Sequence, residues 1–285
     1  MRATVAPHCY GALRTVARCR CDARIRRFPI ARARRPARRR PARRRSGRPR
    51  RGTISAPDRR GAPLTPQRPS PAVQDYLKAI YLLDESADGA GPVTTTAVAE
   101  ALAVTTASAS NMLKKLDGLG YVDQVPRHGV ALTAAGRQAA LEVIRHHRLL
   151  ETYLATRLGM PWDEVHREAE VLEHHVSEAL ADRIAEALGH PERDPHGHPI
   201  PTSAGLMPSL PSRRLSEMAE GAEAVVGRVD DRDDALLRFL AERGLVPDAH
   251  VTVLAHAPFG GPISVRVGRR VVDVPPAAAH AVHVE

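Results

Sequence analysis

Beyond residue 70 the chain contains no cysteine, because Cys9, Cys19 and Cys21 all lie ahead of it. A disulfide scaffold and a thiolate metal site are thereby excluded for the body of the protein, and the cytoplasm is the expected compartment. No apolar run approaches the roughly 18 residues that a membrane span needs, which excludes an integral membrane protein. A secretory signal is missing too, since no apolar core follows the basic start. Enzyme motifs are equally scarce. Neither HExxH nor GxSxG occurs, and Glu173-His174-His175 lacks the two-His, one-Glu order of a zinc hydrolase.

Acidic residues and lysine are almost absent from residues 1–70, which hold 22 Arg, no Lys, no Glu and two Asp, a net charge of +20. The whole chain of 285 residues carries +10, so the remaining 215 residues have 20 basic groups against 30 acidic ones, a net of −10. The tail repeats Ala-Arg-Arg units from Ala31 to Arg51 and then runs through Pro57, Pro63, Pro66 and Pro69 up to Pro71. Such a segment has too little to bury to offset its ordering entropy, and disorder is expected. Two readings stand: a polycationic arm on DNA phosphates, or a translated leader ahead of a true start. No Met lies between Met1 and Met112, so a shorter product would begin at a non-Met codon such as Leu64 or Val73.

Helical spacing opens the body. VQDYLKAIYLL puts Val73, Leu77, Ile80 and Tyr81 on one face. Thr94-Thr95-Thr96 caps a short helix, Thr96 to Leu102, and Thr105 caps another running to Leu119. YVDQV and VALT, flanking Pro126-Arg127-His128-Gly129, form a hairpin behind them, which together predicts a winged helix-turn-helix over 71–136. A helical metal-binding and dimerisation region is expected over 137–202: one long helix opening at Thr133, then a second, unbroken from Trp162 to Leu188, with spare apolar surface. After a linker, residues 203–285 change to a period of two (AVVGRV, HVTVLAH, ISVRVG, RVVDV), with a helix Ala235 to Arg243. Five or so short strands there predict a small β-barrel. The fold class is thus mainly α with a C-terminal barrel.

Glu170, Glu173 and His174 stand at i, i+3 and i+4, on one helical face, with His166 one turn earlier. His147 and Glu151 form an i, i+4 pair, and Asp75 is the acidic residue of the first helix's opening turns. Carboxylates and imidazoles at one-turn spacing on facing helices are how bundles hold divalent metals. For DNA, the exposed start of the third helix offers Thr105, Thr106, Ser108, Ser110 and Asn111, with Lys114 behind them and Arg127 on the hairpin. These short hydroxyl and amide groups suit phosphates or base edges and equally suit capping.

The run IRHHRLLETYLATRLGMPWDEVHREAEVLEHHVSEALADRI, with the later PHGHPIP loop and the winged helix before it, resembles the DtxR/MntR family of metal-dependent transcriptional repressors. The C-terminal part is similar to the FeoA-type, SH3-like domain of many members. The resemblance implies a homodimer that senses Mn(II) or Fe(II), binds a palindromic double-stranded operator and controls metal-homeostasis genes. It implies a primary site at Asp75, Glu170, Glu173 and His174, with His147 beside it, and an ancillary site at His147, Glu151 and His166. Iron-type members resemble this chain but have Met where Asp75 stands and Cys where Glu170 stands. Oxygen ligands favour Mn(II) over Fe(II). Lys78 stands where a manganese-type relative can offer a second carboxylate, and Asp230 and Asp231 are counterparts for ligands from the C-terminal domain. Two other readings remain: a winged-helix regulator sensing a small organic ligand, and a metallohydrolase.

Overall fold

The computed structural model describes residues 68–86, 91–125, 127–209 and 213–285. Residues 1–67 with the three cysteines, residues 87–90, Pro126 and residues 210–212 lie outside them. Helix α1 (Pro71–Ser86) buries Val73, Leu77, Ile80 and Tyr81, as its spacing requires. α2 (Thr95–Ala101) and α3 (Thr106–Gly118) each begin on a threonine, Thr94 and Thr105, whose hydroxyls accept from Ala97 N at 3.1 Å and Ser108 N at 3.2 Å. Each such cap contributes about 1 kcal/mol.

Strands β1 (Val122–Val125) and β2 (Gly129–Leu132) pair antiparallel, Val122 opposite Leu132. Val93 bridges to Val130 on the other side. The chains approach so closely there that a Cβ on Gly129, at φ +127°, would stand 2.1 Å from the Val93 carbonyl oxygen, so only glycine fits. Leu77, Ile80, Val98, Leu113, Leu116, Val122 and Val130 share one core with Leu141 and Ile144 of α4 (Ala134–Leu158). Thr133 caps α4, accepting from Gly136 N at 3.1 Å, and Gly159 ends it in the left-handed region at φ +68°.

The single helix expected from Trp162 to Leu188 is broken. α5 (Val165–Leu172) passes into a 3₁₀ turn, Glu173–His175, and a new helix α6 (Glu178–Leu188) starts beyond it. The cause is local: Val176 is extended at ψ 128° with its side chain buried, and the Ser177 hydroxyl caps α6 by accepting from Leu180 N at 3.3 Å. Leu149, Leu150, Ala169, Val176, Ala181 and Ile184 form the core of this layer. Leu158, Val171 and Leu180 remain exposed on it, at 63%, 66% and 49%, so apolar surface is left over as expected.

The C-terminal part is one antiparallel sheet of six strands in the order β3-β8-β4-β5-β6-β7 (Arg213–Arg214, Val282–Val284, Glu223–Val229, His250–His256, Ile263–Val267, Arg270–Val274). It replaces the expected barrel: among the described residues β3 and β7 do not pair, so the sheet is not closed. α7 (Asp234–Arg243) and α8 (Pro276–His280) accompany it, and Leu237, Leu240, Val253, Val265 and Val282 fill its core. No described helix is long and apolar enough to cross a membrane.

Candidate metal centre

Asp75 leaves α1 on the face turned toward the 3₁₀ turn, where its Oδ1 lies 3.0 Å from His174 Nε2. The far nitrogen of that ring, Nδ1, is 2.7 Å from Gln74 Oε1. An amide oxygen only accepts, so Nδ1 donates to it, which leaves Nε2 facing Asp75 and, at 3.8 Å, Glu173 Oε1. One imidazole nitrogen and two carboxylates converging within 4.8 Å make a set of donors that fits a cation. Burial above all, with Glu173 and Glu170 nearby, raises the Asp75 carboxyl.

Glu173 is fully buried because the 3₁₀ turn folds its side chain inward. Its Oε2 lies 2.5 Å from His147 Nδ1, while Glu170 Oε1 is 4.0 Å from the same nitrogen. Lys78, one turn beyond Asp75, also enters. Its ammonium is 2.7 Å from Glu170 Oε1, 2.8 Å from Glu173 Oε2 and 3.1 Å from His147 Nδ1. Burial on its own would push Lys78 down, but Glu173 and Glu170 outweigh it and hold the amine charged. Three carboxylates against one ammonium leave a charge deficit that one divalent cation would balance.

His147 joins this cluster to a second. Its Nε2 lies 2.9 Å from Glu151 Oε1 and 3.1 Å from His166 Nδ1. Burial disfavours its charge, yet Glu151 and the bond to Glu173 push its pKa up to about 9. His166 Nδ1 is 3.1 Å from Glu151 Oε1 and 3.8 Å from Asp231 Oδ2.

Around Asp231 gather three residues that the helical spacing could not reveal: Asp194, His196 and His198. Their ligand atoms and that of Asp231 lie within 4.8 Å of one another. The loop holds them by its backbone, for Asp194 Oδ1 accepts from His196 N at 2.8 Å and from His198 N at 2.9 Å. His196 Nε2 lies 2.8 Å from the Trp162 carbonyl, to which it donates, so Nδ1 is the nitrogen turned inward. Glu151 Oε2, Asp194 Oδ2, His196 Nδ1 and His198 Nδ1 are all buried with no hydrogen-bond partner. Four unsatisfied groups aimed at one space fit a cation there, since leaving them unpaired is costly. Although burial opposes it, Glu151, Asp194 and Asp231 push His196 up to about 9. The only hint in the sequence was the alternation Asp194-Pro195-His196-Gly197-His198. Asp230, named with Asp231 from the sequence, turns away to His283, 3.5 Å distant.

Both clusters border a cleft of about 960 Å³, lined by Asp75, Lys78, His147, His166, Glu170 and His198 among others. The expected DNA-facing residues lie elsewhere, on α3 and the hairpin. Thr106, Asn111, Lys114 and Arg127 are exposed there, Ser110 is half-buried, and Thr105 is engaged with Ser108 as the cap of α3, their hydroxyls 2.9 Å apart. Arg137 is held by Asp84 at 3.2 Å.

Three family models match the chain in succession. The iron dependent repressor N-terminal DNA binding domain covers residues 70–130, the iron dependent repressor metal binding and dimerisation domain covers 133–202, and the FeoA domain covers 213–285. The chain is 35% identical over 223 residues to the iron-dependent repressor IdeR of Mycobacterium leprae (strain TN), across 74% of this chain and 95% of that protein. It is 34% identical over 109 residues to the HTH-type transcriptional regulator MntR of Geobacillus kaustophilus (strain HTA426), across 38% of this chain and 74% of the relative. Among solved structures, a manganese-dependent transcriptional repressor in complex with manganese matches with a TM-score of 0.69 at 43% identity, over 74% of this chain and 98% of the other.

Proposed function

The chain belongs to the iron-dependent repressor family of metal-dependent transcriptional regulators, and from that premise we propose that it represses metal-homeostasis genes by binding palindromic operators as a homodimer when loaded with Mn(II), in preference to Fe(II). The observation that carries this reading is the meeting of Asp75, on the helix packed against α2 and α3, with Glu173 and His174 on the 3₁₀ turn of the neighbouring layer. A bound divalent ion would supply the positive charge that these groups converge on.

Asp75, Glu170, Glu173 and His174 are the proposed primary ligands, with His147 beside them. Gln74 orients His174, and Trp162 orients His196, by fixing which ring nitrogen holds the proton. Glu151, His166, Asp194, His196, His198 and Asp231 are proposed as a second ion position. The donor set is oxygen and imidazole throughout, which suits Mn(II) better than a softer metal. Ligands on α1 and ligands on the 3₁₀ turn must approach together to share one ion, so they fix the DNA-reading part relative to the rest. Metal and DNA then strengthen each other's binding.

Residues 71–136 serve as a winged helix-turn-helix, 137–202 as the metal and dimer layer, and 203–285 as linker and FeoA domain. Val171 and Leu180 belong to the face that meets the second copy. A twofold dimer presents two α3 helices to successive major grooves, with Thr106, Ser108, Ser110, Asn111, Lys114 and Arg127 on the DNA side. Reading chromosomal DNA places the protein in the cytoplasm. Asp75→Ala and Glu173→Ala should each abolish Mn(II)-dependent retardation of operator DNA while leaving the circular dichroism spectrum intact; gel shifts equal to wild type with and without Mn(II) would refute the assignment.

A further inference from the structure

Lys78 is absorbed by neither the ligand set nor the DNA surface. Its side chain is 11% exposed, and its ammonium lies within 3.1 Å of Glu170 Oε1, both oxygens of Glu173 and His147 Nδ1. It stands three residues after Asp75 on α1, so the helix that offers a carboxylate to the primary site also offers that site a cation of its own. Asp75, Glu170 and Glu173 carry three negative charges, of which Lys78 offsets one.

The geometry points to Lys78 as a tethered cation that competes with the metal for Glu170 and Glu173, and so sets the free-metal concentration at which the primary site fills. The inference rests on the metal-site reading above and adds to it a residue that tunes affinity without being a ligand. The ammonium neutralises two carboxylates that would otherwise repel each other, which holds α1 against α5 and the 3₁₀ turn without any ion. Once a divalent ion is held by the same carboxylates, the like charge of Lys78 opposes it. A plain structural ion pair would behave differently, because its removal would loosen the site and weaken the metal as well.

The two roles separate in the full-length Lys78→Met and Lys78→Gln variants, the second keeping polar contacts without the charge. Mn(II) affinity is measured by competition with a chelator, and thermal unfolding is followed with the metal removed. Both variants should bind Mn(II) at least about tenfold more tightly than wild type while unfolding at a lower temperature in the absence of metal. Wild type binding Mn(II) with either folded variant binding it equally or more weakly overturns the inference alone. A wild-type chain that binds no Mn(II) overturns the site reading and the inference together. Unchanged metal-free unfolding in both variants removes the counter-ion role and likewise overturns it.

Discussion

His147 lies between acids on both sides: Glu173 at 2.5 Å from Nδ1 and Glu151 at 2.9 Å from Nε2. A protonated ring answers both, which is why its pKa rises to about 9 in spite of burial. A histidine unfolds with a pKa near 6.5, so the stabilisation from this shift is fully present below that value and is lost as pH climbs through about 9. Its size is on the order of 3 kcal/mol. The melting temperature of the metal-stripped protein should therefore fall between pH 6.5 and 9, and replacing His147 by Gln should flatten that fall. Metal shows the opposite trend, since an ion must displace the ring proton: Mn(II) affinity should rise up to tenfold per pH unit from 7 to 9 for each proton released. Calorimetry in buffers of different ionisation enthalpy counts those protons, and zero release would contradict the arrangement of His147 and His196. At this scale much was legible beforehand. Glu170, Glu173 and His174 announce themselves by helical spacing, and His147 with Glu151 likewise. The contact of Gln74 with His174 and the intrusion of Lys78 were not, because each depends on which helix packs against which.

Two elements position the ligands in ways that periodicity does not record. The first is the 3₁₀ turn between α5 and α6, which the apolar stripe from Val165 to Leu188 conceals by continuing on both sides of the break. Ser177 followed by Glu178 is a helix-start pattern of the usual kind, and it stands in the middle of that stripe. The turn buries Glu173 completely, whereas Glu170, three residues back on α5, keeps 45% of its side chain exposed. Ser177→Ala should cost about 1 kcal/mol in urea unfolding by removing the α6 cap. The second element is the loop Asp194 to His198, where Gly197 sits at φ +90° and a Cβ would stand 2.1 Å from the Gly227 carbonyl oxygen. Gly197→Ala should destabilise the protein by roughly 2 kcal/mol or more and reduce the Mn(II) stoichiometry per chain from two to one. An unchanged stoichiometry in the folded variant would show that this loop holds no ion. Four of the six C-terminal strands were legible individually, but β3, β8 and the pairing were not: the order β3-β8-β4-β5 joins distant segments, and alternation says nothing about it.

Over the whole molecule, charge and connectivity carry the account. Residues 1–70 carry +20, and the body that must meet DNA phosphates carries −10. Six of the body's 30 acidic groups, Asp75, Glu151, Glu170, Glu173, Asp194 and Asp231, converge in two clusters beside one cleft, while Lys114 and Arg127 are exposed on α3 and the hairpin. α1 links the two tasks, sharing a core with α2, α3 and the hairpin while Asp75 reaches His174. On the proposed dimer, the exposed Leu158, Val171 and Leu180 supply the shared surface, so Val171→Glu with Leu180→Glu should shift sedimentation toward the monomer and weaken operator binding by more than tenfold. The central claim is coupling between metal and DNA, which is most directly tested by titrating the full-length protein onto a duplex selected from a random pool, with Mn(II) saturating and with Mn(II) chelated. The account predicts binding at least about tenfold tighter with Mn(II), a gain that disappears in Glu173→Ala; equal affinity under the two conditions for the wild-type chain would contradict it.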